Sequence, residues 1–127
     1  MLSQNRIFKW FSRHHQIPAR ILAWLGILVI VVLSVVPATE RPVTTVGPQL
    51  EHFAAFALTA GMFAIAYDLS FGRLALCALA FCGGIELLQV PLPTRHARVS
   101  DFLIDLATSC LAFGVVLVGK KIIARTI

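Results

Sequence analysis

Four long apolar runs divide the chain, and they predict four helices that cross a membrane. The runs cover residues 21–36, 50–67, 74–90 and 102–119. Each approaches the length of about 20 residues that a helix needs to cross a hydrocarbon layer about 30 Å thick. Pro18 suits the opening turn of the first helix, and Pro37 ends it. Short connections favour antiparallel neighbours, so we predict an all-α membrane protein, an antiparallel bundle of four transmembrane helices.

The composition supports a membrane protein. Of the 127 residues, 58% are hydrophobic and 13% are charged, and a soluble domain of this size could not bury so much apolar surface. A secretory signal peptide is an alternative for the first run, because a basic leader and an apolar core precede residues 35–38, which resemble a cleavage site. The long leader, residues 1–20, and the unbalanced topology of three remaining spans argue against this alternative.

The distribution of Lys and Arg predicts the orientation, because short loops rich in these residues stay in the cytoplasm. One side would hold Arg6, Lys9, Arg13, Arg20, Arg73, Lys120, Lys121 and Arg125, and the other side Arg41, Arg95 and Arg98. We therefore predict a multi-pass protein of the bacterial cytoplasmic (inner) membrane with both termini cytoplasmic. Residues 1–18 form a basic amphipathic arm, 19–119 the four-span domain and 120–127 a basic tail.

The net charge of +5 is explained by this topology. The arm and the tail face anionic lipid headgroups, so membrane lipids are the expected partners and nucleic acid is not. Small residues four positions apart favour close helix packing. Such pairs are Ala57 and Gly61, Ala60 and Ala64, and Ala80 and Gly84.

Polar residues within the apolar runs are predicted to meet at the outer end of the bundle. Glu86 and Gln89 close the third helix, Asp101 and Asp105 open the fourth, and Glu51 and His52 open the second. Residues three or four positions apart share one helix face, so the pairs on the third and fourth helices each form a polar stripe. A carboxylate costs roughly 2.5–3.5 kcal/mol at the bilayer centre and less near the interface. Glu86 and Asp105 should therefore face protein or water.

Two arginines in the predicted outer loop, Arg95 and Arg98, run against the positive-inside tendency. A guanidinium donates forked hydrogen bonds to a carboxylate or a phosphate. Arg98 precedes Asp101 by three positions, and we expect the two to pair at the start of the fourth helix. Arg95 is expected to turn back toward Glu86 or toward a bound anion.

The same residues resemble the VanZ-like family of small multi-span membrane proteins over roughly residues 47–119. The resemblance rests on Glu86-Leu87-Leu88-Gln89, on Pro93-Thr94-Arg95, on Ser100-Asp101 and, more weakly, on His52-Phe53. The chain departs from the family pattern at Pro48-Gln49, where Asp-Lys is frequent, and at Phe56, where Tyr is frequent. It also has Asp105 and Thr108 where the family usually has Asn and Gly.

The resemblance implies an envelope protein, and it links the chain with resistance to the glycopeptide antibiotic teicoplanin without supplying a defined reaction. Our leading hypothesis is a pocket on the outer face that binds an anionic lipid headgroup or a cell-wall precursor headgroup. Its expected binding residues are His52, Glu86, Gln89, Arg95, Arg98, Asp101 and Asp105.

Three alternatives stay open. A membrane enzyme would use Glu86 or His52 as a general base on a lipid headgroup, but the chain has no His-Glu-x-x-His, Pro-Ser-Gly-His or Gly-x-Ser-x-Gly motif. A metal site would draw on His52, Glu86, His96 and Asp101, although a hydrogen-bonded network is preferred and no cofactor or metal is expected. A transporter would require an oligomer.

Overall fold

The computed structural model describes the backbone of residues 2–42, 44–94 and 96–126, and the side chains in these ranges except those of residues 2–12 and 38. The long helices are α1 (Leu2–Val35), α2 (Pro48–Ala66), α3 (Phe71–Gln89) and α4 (Val99–Thr126). A short 3₁₀ helix, Ala38–Glu40, lies between α1 and α2. The four long helices are long and apolar enough to cross a membrane. This confirms the predicted all-α class with four membrane-length helices.

α1 is longer than the sequence pattern predicts. It begins at Leu2 and continues through Pro18, so the helix start predicted at Pro18 is wrong. Proline removes one backbone hydrogen bond from a helix, but its fixed φ is compatible with helical geometry, and neighbouring groups compensate for such a loss in membrane helices. The segment of α1 suited to crossing a membrane is Arg13–Val35. Most of the predicted amphipathic arm, residues 1–18, lies outside the residues whose side chains the structure describes.

The other elements follow the predicted runs with shifted ends. α4 continues to Thr126, so most of the predicted basic tail prolongs the last helix. The connection 36–47 is longer than the connections 67–70 and 90–98. It ends at Gly47, whose φ of 93° lies in the left-handed region that glycine adopts without steric cost. Pro48 then begins α2, where its missing N–H is not needed.

The helices pack in the order α1, α2, α4, α3, and α1 and α3 meet over a much smaller area than the other neighbours do. Arg20 near the middle of α1 bonds the Ala66 carbonyl at the end of α2, whereas Ile30 packs with Phe56 nearer the start of α2. We call the end at which α1 and α3 finish and α2 and α4 begin the polar end. The opposite end, which carries Asp68 and Lys120 bonded at 3.1 Å, is the terminal end.

Two apolar clusters hold the four helices together. Toward the terminal end, Ala60 and Ala64 of α2 lie buried with residues of α3 and α4, namely Leu74, Ala78 and Phe113. Toward the polar end, the buried residues are Ile30, Phe56, Cys82 and Ile85. The small side chains of Ala60 and Ala64 allow close packing, as their spacing predicted.

The outer surface of the bundle is apolar. Leu76 of α3, Leu111 of α4 and Val115 of α4 are 66%, 66% and 72% exposed. Apolar side chains on all sides are typical of helices whose solvent is lipid. The surface therefore agrees with the membrane environment that the hydropathy of the helices indicates.

α1 and α2 approach each other closely at Gly26. A Cβ atom at this position would overlap the Thr59 hydroxyl oxygen and lie 3.1 Å from the Thr59 Cβ atom. Thr59 is itself buried, so the contact has little room to relax. Glycine at position 26 therefore sets the distance between the two helices.

We expect Gly26→Ala to lower the free energy of unfolding by about 1–3 kcal/mol, because the added methyl group overpacks the contact with Thr59. Gly114→Ala in α4 is the control, since a Cβ atom there meets nothing within 4 Å, and alanine should leave stability equal or raised. Thermal unfolding in detergent measures both variants. Equal midpoints for Gly26→Ala and Gly114→Ala would contradict the close approach.

Candidate functional site

A cavity of about 240 Å³ lies at the polar end, between the end of α1, the 36–47 connection and the start of α2. We call it the polar cavity. Its polar lining comes from Ser34, Arg41, Thr44, Glu51 and His52. Its apolar lining comes from Ile30, Leu33, Pro42, Ala55 and Phe56. Charged groups thus stand beside an apolar wall, as a ligand with a polar head and an apolar body requires.

Arg41 is held in place by the end of α1. Its Nε and Nη2 atoms donate hydrogen bonds of 2.9 and 2.6 Å to the Leu33 carbonyl oxygen. In a continuing helix this carbonyl would accept from the amide four residues later, but that residue is Pro37, which has no N–H. The guanidinium therefore supplies the donors that Pro37 lacks. The result is a positive charge fixed at the wall of the polar cavity.

Glu51 fixes the connection to α2. Its Oε1 atom accepts a hydrogen bond of 3.2 Å from the Thr44 backbone N–H and a second one from the Thr44 hydroxyl. Glu51 also lies in the first turn of α2, where a carboxylate interacts favourably with the helix dipole. The carboxylate thus orders the segment that carries Arg41.

His52 connects the polar cavity to α4. Its Nδ1 atom lies 3.9 Å from Oδ1 of Asp105, which is 4% exposed. Its ring is nearly parallel to that of Phe56, with centroids 6.1 Å apart. A buried carboxylate needs a polar partner, and among the described residues His52 is the ion-pairing partner of Asp105. Of the predicted site residues that the structure describes, His52 is the one that lines the polar cavity.

Gln89 joins α3 to α1. Its Nε2 atom donates a hydrogen bond of 3.4 Å to the Ser34 carbonyl oxygen, and Gln89 is 7% exposed. Ser34, also buried, donates its hydroxyl proton to the Ile30 carbonyl at 2.6 Å. Because α1 and α3 otherwise contact each other little, this bond closes the bundle at the polar end.

Glu86 holds the start of α4. Its Oε2 atom accepts a hydrogen bond of 3.0 Å from the backbone N–H of Arg98, and the Arg98 carbonyl accepts the first amides of the helix, from Asp101 and Phe102. The side chains of Arg98 and Asp101, both in the described part of the chain, do not form the expected ion pair. Asp101 is instead exposed and accepts from the Ser100 hydroxyl at 3.3 Å.

Three acidic residues of the polar end lie on α3 and α4, namely Glu86, Asp101 and Asp105. Arg95, the residue expected to turn toward Glu86, lies outside the described residues. In the described part of the chain, no three His, Cys, Asp or Glu side chains are placed to hold a metal ion. His96, a member of the alternative metal set, is exposed.

A second cavity, of about 400 Å³, runs between α1 and α3 over α2 and α4. We call it the apolar groove. Its walls include Trp24 and Ile27 of α1, Phe63 of α2, and Cys77 and Phe81 of α3. The groove is present because α1 and α3 make little contact with each other apart from the Gln89 hydrogen bond at the polar end.

Sequence reasoning placed Glu51 among the polar residues of the outer end, but its list of site residues did not include Glu51, Ser34 or Arg41. Arg41 carried a usable signal, since it is a third arginine in a predicted outer loop, as Arg95 and Arg98 are. Its role depends on Pro37, which lies four residues after Leu33 and cannot donate to it. Of the predicted residues, Glu86, Gln89 and Asp105 are engaged in contacts between elements.

We expect Glu86→Ala to lower the free energy of unfolding by about 1–3 kcal/mol, because the Arg98 amide loses a charged acceptor. Glu86→Gln retains an acceptor oxygen and should cost less. Thermal unfolding of the purified variants gives the order, and amide exchange at Arg98 gives its cause. Full stability of Glu86→Ala, with unchanged exchange at Arg98, would contradict a structural role for this carboxylate.

In comparisons with known proteins, no family model, no curated protein and no solved structure matches the chain. The function is therefore inferred from the two cavities and the charged residues around them.

Proposed function

We propose that this multi-pass membrane protein binds a phosphate-bearing headgroup, of an anionic lipid or of a lipid-linked cell-wall precursor, in the polar cavity. The observation that carries the proposal is the guanidinium of Arg41, anchored on the Leu33 carbonyl and lining a cavity with an apolar wall. A planar guanidinium suits a phosphate oxygen better than a point charge does. Because it is already fixed, little side-chain entropy is lost on binding.

The distribution of charge favours Arg41 over the acidic side as the anion site. Glu86, Asp101 and Asp105 lie on α3 and α4, outside the lining of the polar cavity, and carboxylates repel a phosphate. The headgroup would therefore face Arg41 and His52, away from Glu86. This places the anion nearer α1 and α2 than the sequence motif in α3 suggested.

Glu51 gives the polar cavity a second, opposite charge beside Arg41. Its contacts with Thr44 keep this carboxylate in the wall. A headgroup that carries a hydroxyl or an amine next to its phosphate would satisfy both charges at once. We accordingly favour a substituted phosphate over a bare phosphomonoester.

The VanZ-like resemblance enters as part of this proposal. It rests on Glu86, Gln89 and Asp101, and the first two link α3 to its neighbours at the polar end. The resemblance also suggests that an outward-facing headgroup site at the bacterial cytoplasmic membrane contributes to teicoplanin resistance. The proposed orientation places the polar end outside and both termini in the cytoplasm, in accordance with the excess of Lys and Arg near the terminal end.

A second candidate function is a membrane enzyme, and the pair of His52 and Asp105 favours it. A carboxylate beside one ring nitrogen orients a histidine so that its other ring nitrogen can act as a general base. The hydroxyls of Ser34 and Thr44 already donate to Ile30 and Glu51, so the nucleophile would be water. His52 would take one proton from water as the water oxygen bonds to phosphorus. The bond between phosphorus and the ester oxygen would break, and the protonated ring would return the proton to that leaving oxygen.

Release of a labelled headgroup from phosphatidylglycerol in proteoliposomes separates the two functions. Enzymatic release that His52→Asn abolishes would establish the second candidate. Retention of intact lipid, with no release by the native protein, is the result that we expect.

We expect Arg41→Gln to weaken binding of dihexanoyl phosphatidylglycerol about tenfold, the loss of about 1.4 kcal/mol that one charged contact supplies. Arg73→Gln, an exposed arginine at the start of α3, removes the same charge elsewhere and should leave affinity unchanged. Titration in detergent, with the unfolding midpoint of each variant, measures both effects. Equal affinities of the two variants would reject Arg41 as the anion site.

Since Arg41 also holds the end of α1, a second variant keeps this test decisive if Arg41→Gln unfolds. Ala55→Leu places bulk in the polar cavity and leaves Arg41 intact. We expect a folded protein with weakened binding of the same lipid. Unchanged affinity of a folded Ala55→Leu variant would also reject the cavity as the binding site.

Topology has its own test. Reporter fusions after residues 5, 70 and 123 should report the cytoplasm, and fusions after residues 44 and 95 should report the outside, because Lys and Arg are retained inside. The fusions are compared at equal expression in intact cells. A cytoplasmic signal at residue 44 would place the polar cavity on the inner face.

A further inference from the structure

We propose that the apolar groove holds one acyl chain of the phospholipid whose headgroup occupies the polar cavity. This inference rests on the proposed function for the headgroup, and it adds a site for the chain. The protein would thus recognise a whole lipid molecule.

The chemistry of the apolar groove fits a hydrocarbon chain. Aromatic and aliphatic side chains form most of its walls, among them Ile27, Phe63 and Phe81. Ser109 also lines it, but its hydroxyl donates to the Asp105 carbonyl at 2.8 Å. The Ser109 hydroxyl therefore keeps its acceptor when a hydrocarbon chain fills the groove.

The apolar groove adjoins the polar cavity. Ile30 and Phe56 line both spaces. A charged site and an apolar channel that share a wall match the two parts of one lipid. Neither a soluble anion nor a free hydrocarbon would fill both.

The apolar groove leads from the polar cavity toward the terminal end. Its lining extends from Phe56 of α2 to Tyr67, the residue that follows α2. The ten helical steps from Phe56 to Ala66 correspond to roughly 15 Å at 1.5 Å per residue. The acyl chain of a lipid bound at the polar end would therefore run along the groove toward the terminal end.

Polar contacts close the far end of the apolar groove. Trp24 Nε1 donates a 3.0 Å hydrogen bond to the Tyr67 hydroxyl, and the guanidinium carbon of Arg20 lies 4.9 Å from the centroid of the Tyr67 ring. Arg20 also donates to the Ala66 carbonyl at 3.3 Å. The polar groups of Arg20, Trp24 and Tyr67 therefore close the groove where its apolar walls end.

Cys77→Trp tests the chain site, because Cys77 lines the apolar groove and is exposed, so a larger side chain there fills the groove without entering the core. Leu76→Trp is the matched control, since Leu76 is 66% exposed and is not part of the groove lining. Affinity is measured for dioleoyl and dihexanoyl phosphatidylglycerol in the same detergent. We expect Cys77→Trp to weaken dioleoyl binding about tenfold, to leave dihexanoyl binding unchanged, and Leu76→Trp to alter neither.

A phosphatidylglycerol with a diazirine near the end of one chain provides a direct readout. In the native protein, cross-links should fall on residues 59–67 and 74–81. Cross-links spread evenly over lipid-facing residues such as Leu111 and Val115, or equal effects of Cys77→Trp and Leu76→Trp, would overturn the inference. The headgroup proposal is tested separately, by binding of dihexanoyl phosphatidylglycerol to Arg41→Gln. The chain site can therefore be rejected while the headgroup site stands, and loss of the headgroup site shows as unchanged affinity of Arg41→Gln.

Discussion

A carboxylate inside a membrane-spanning helix constrains the whole polar end of this protein. Asp105 is buried on α4, where lipid supplies no hydrogen bonds and an unpaired charge is costly. His52 meets it from α2 at 3.9 Å. This contact sets α2 against α4 and turns the histidine ring into the wall of the polar cavity, so the partner of a structural carboxylate becomes a cavity residue.

A second unmet requirement positions the opposite wall. Pro37 ends α1 but has no amide for the Leu33 carbonyl, and Arg41 donates to that oxygen twice. The same guanidinium then faces the polar cavity. Arg41 thus provides a fixed cation at the cavity wall, beside the carboxylate of Glu51. The proposed headgroup site follows from that fixed cation, and the apolar groove lies where α1 and α3 make little contact with each other.

The fold was largely predictable, because apolar runs long enough to cross a bilayer have few alternatives. The start of α1 was mispredicted because proline rules for soluble helices placed it at Pro18, whereas the helix runs through that residue. The candidate site was less predictable. Spacing along α3 identified Glu86 and Gln89 as polar groups that need partners, but their partners are the Arg98 amide and the Ser34 carbonyl. Backbone partners leave no signal in residue type. The role of Arg41 depends on the amide that Pro37 lacks, four residues after Leu33, and on a carbonyl acceptor eight residues before Arg41 itself.

The account predicts a phosphate at one particular guanidinium. Solid-state NMR of the protein with ¹⁵N-labelled arginine in phosphatidylglycerol bilayers measures dipolar coupling between ¹⁵N and lipid ³¹P, and Arg41→Lys assigns the Arg41 signals by their loss. We predict dephasing of the Arg41 side-chain nitrogens that corresponds to hydrogen-bonding distance from a lipid phosphorus group. Arg41 signals that remain without dephasing, while arginines at the membrane surface show it, would contradict a headgroup site in the polar cavity.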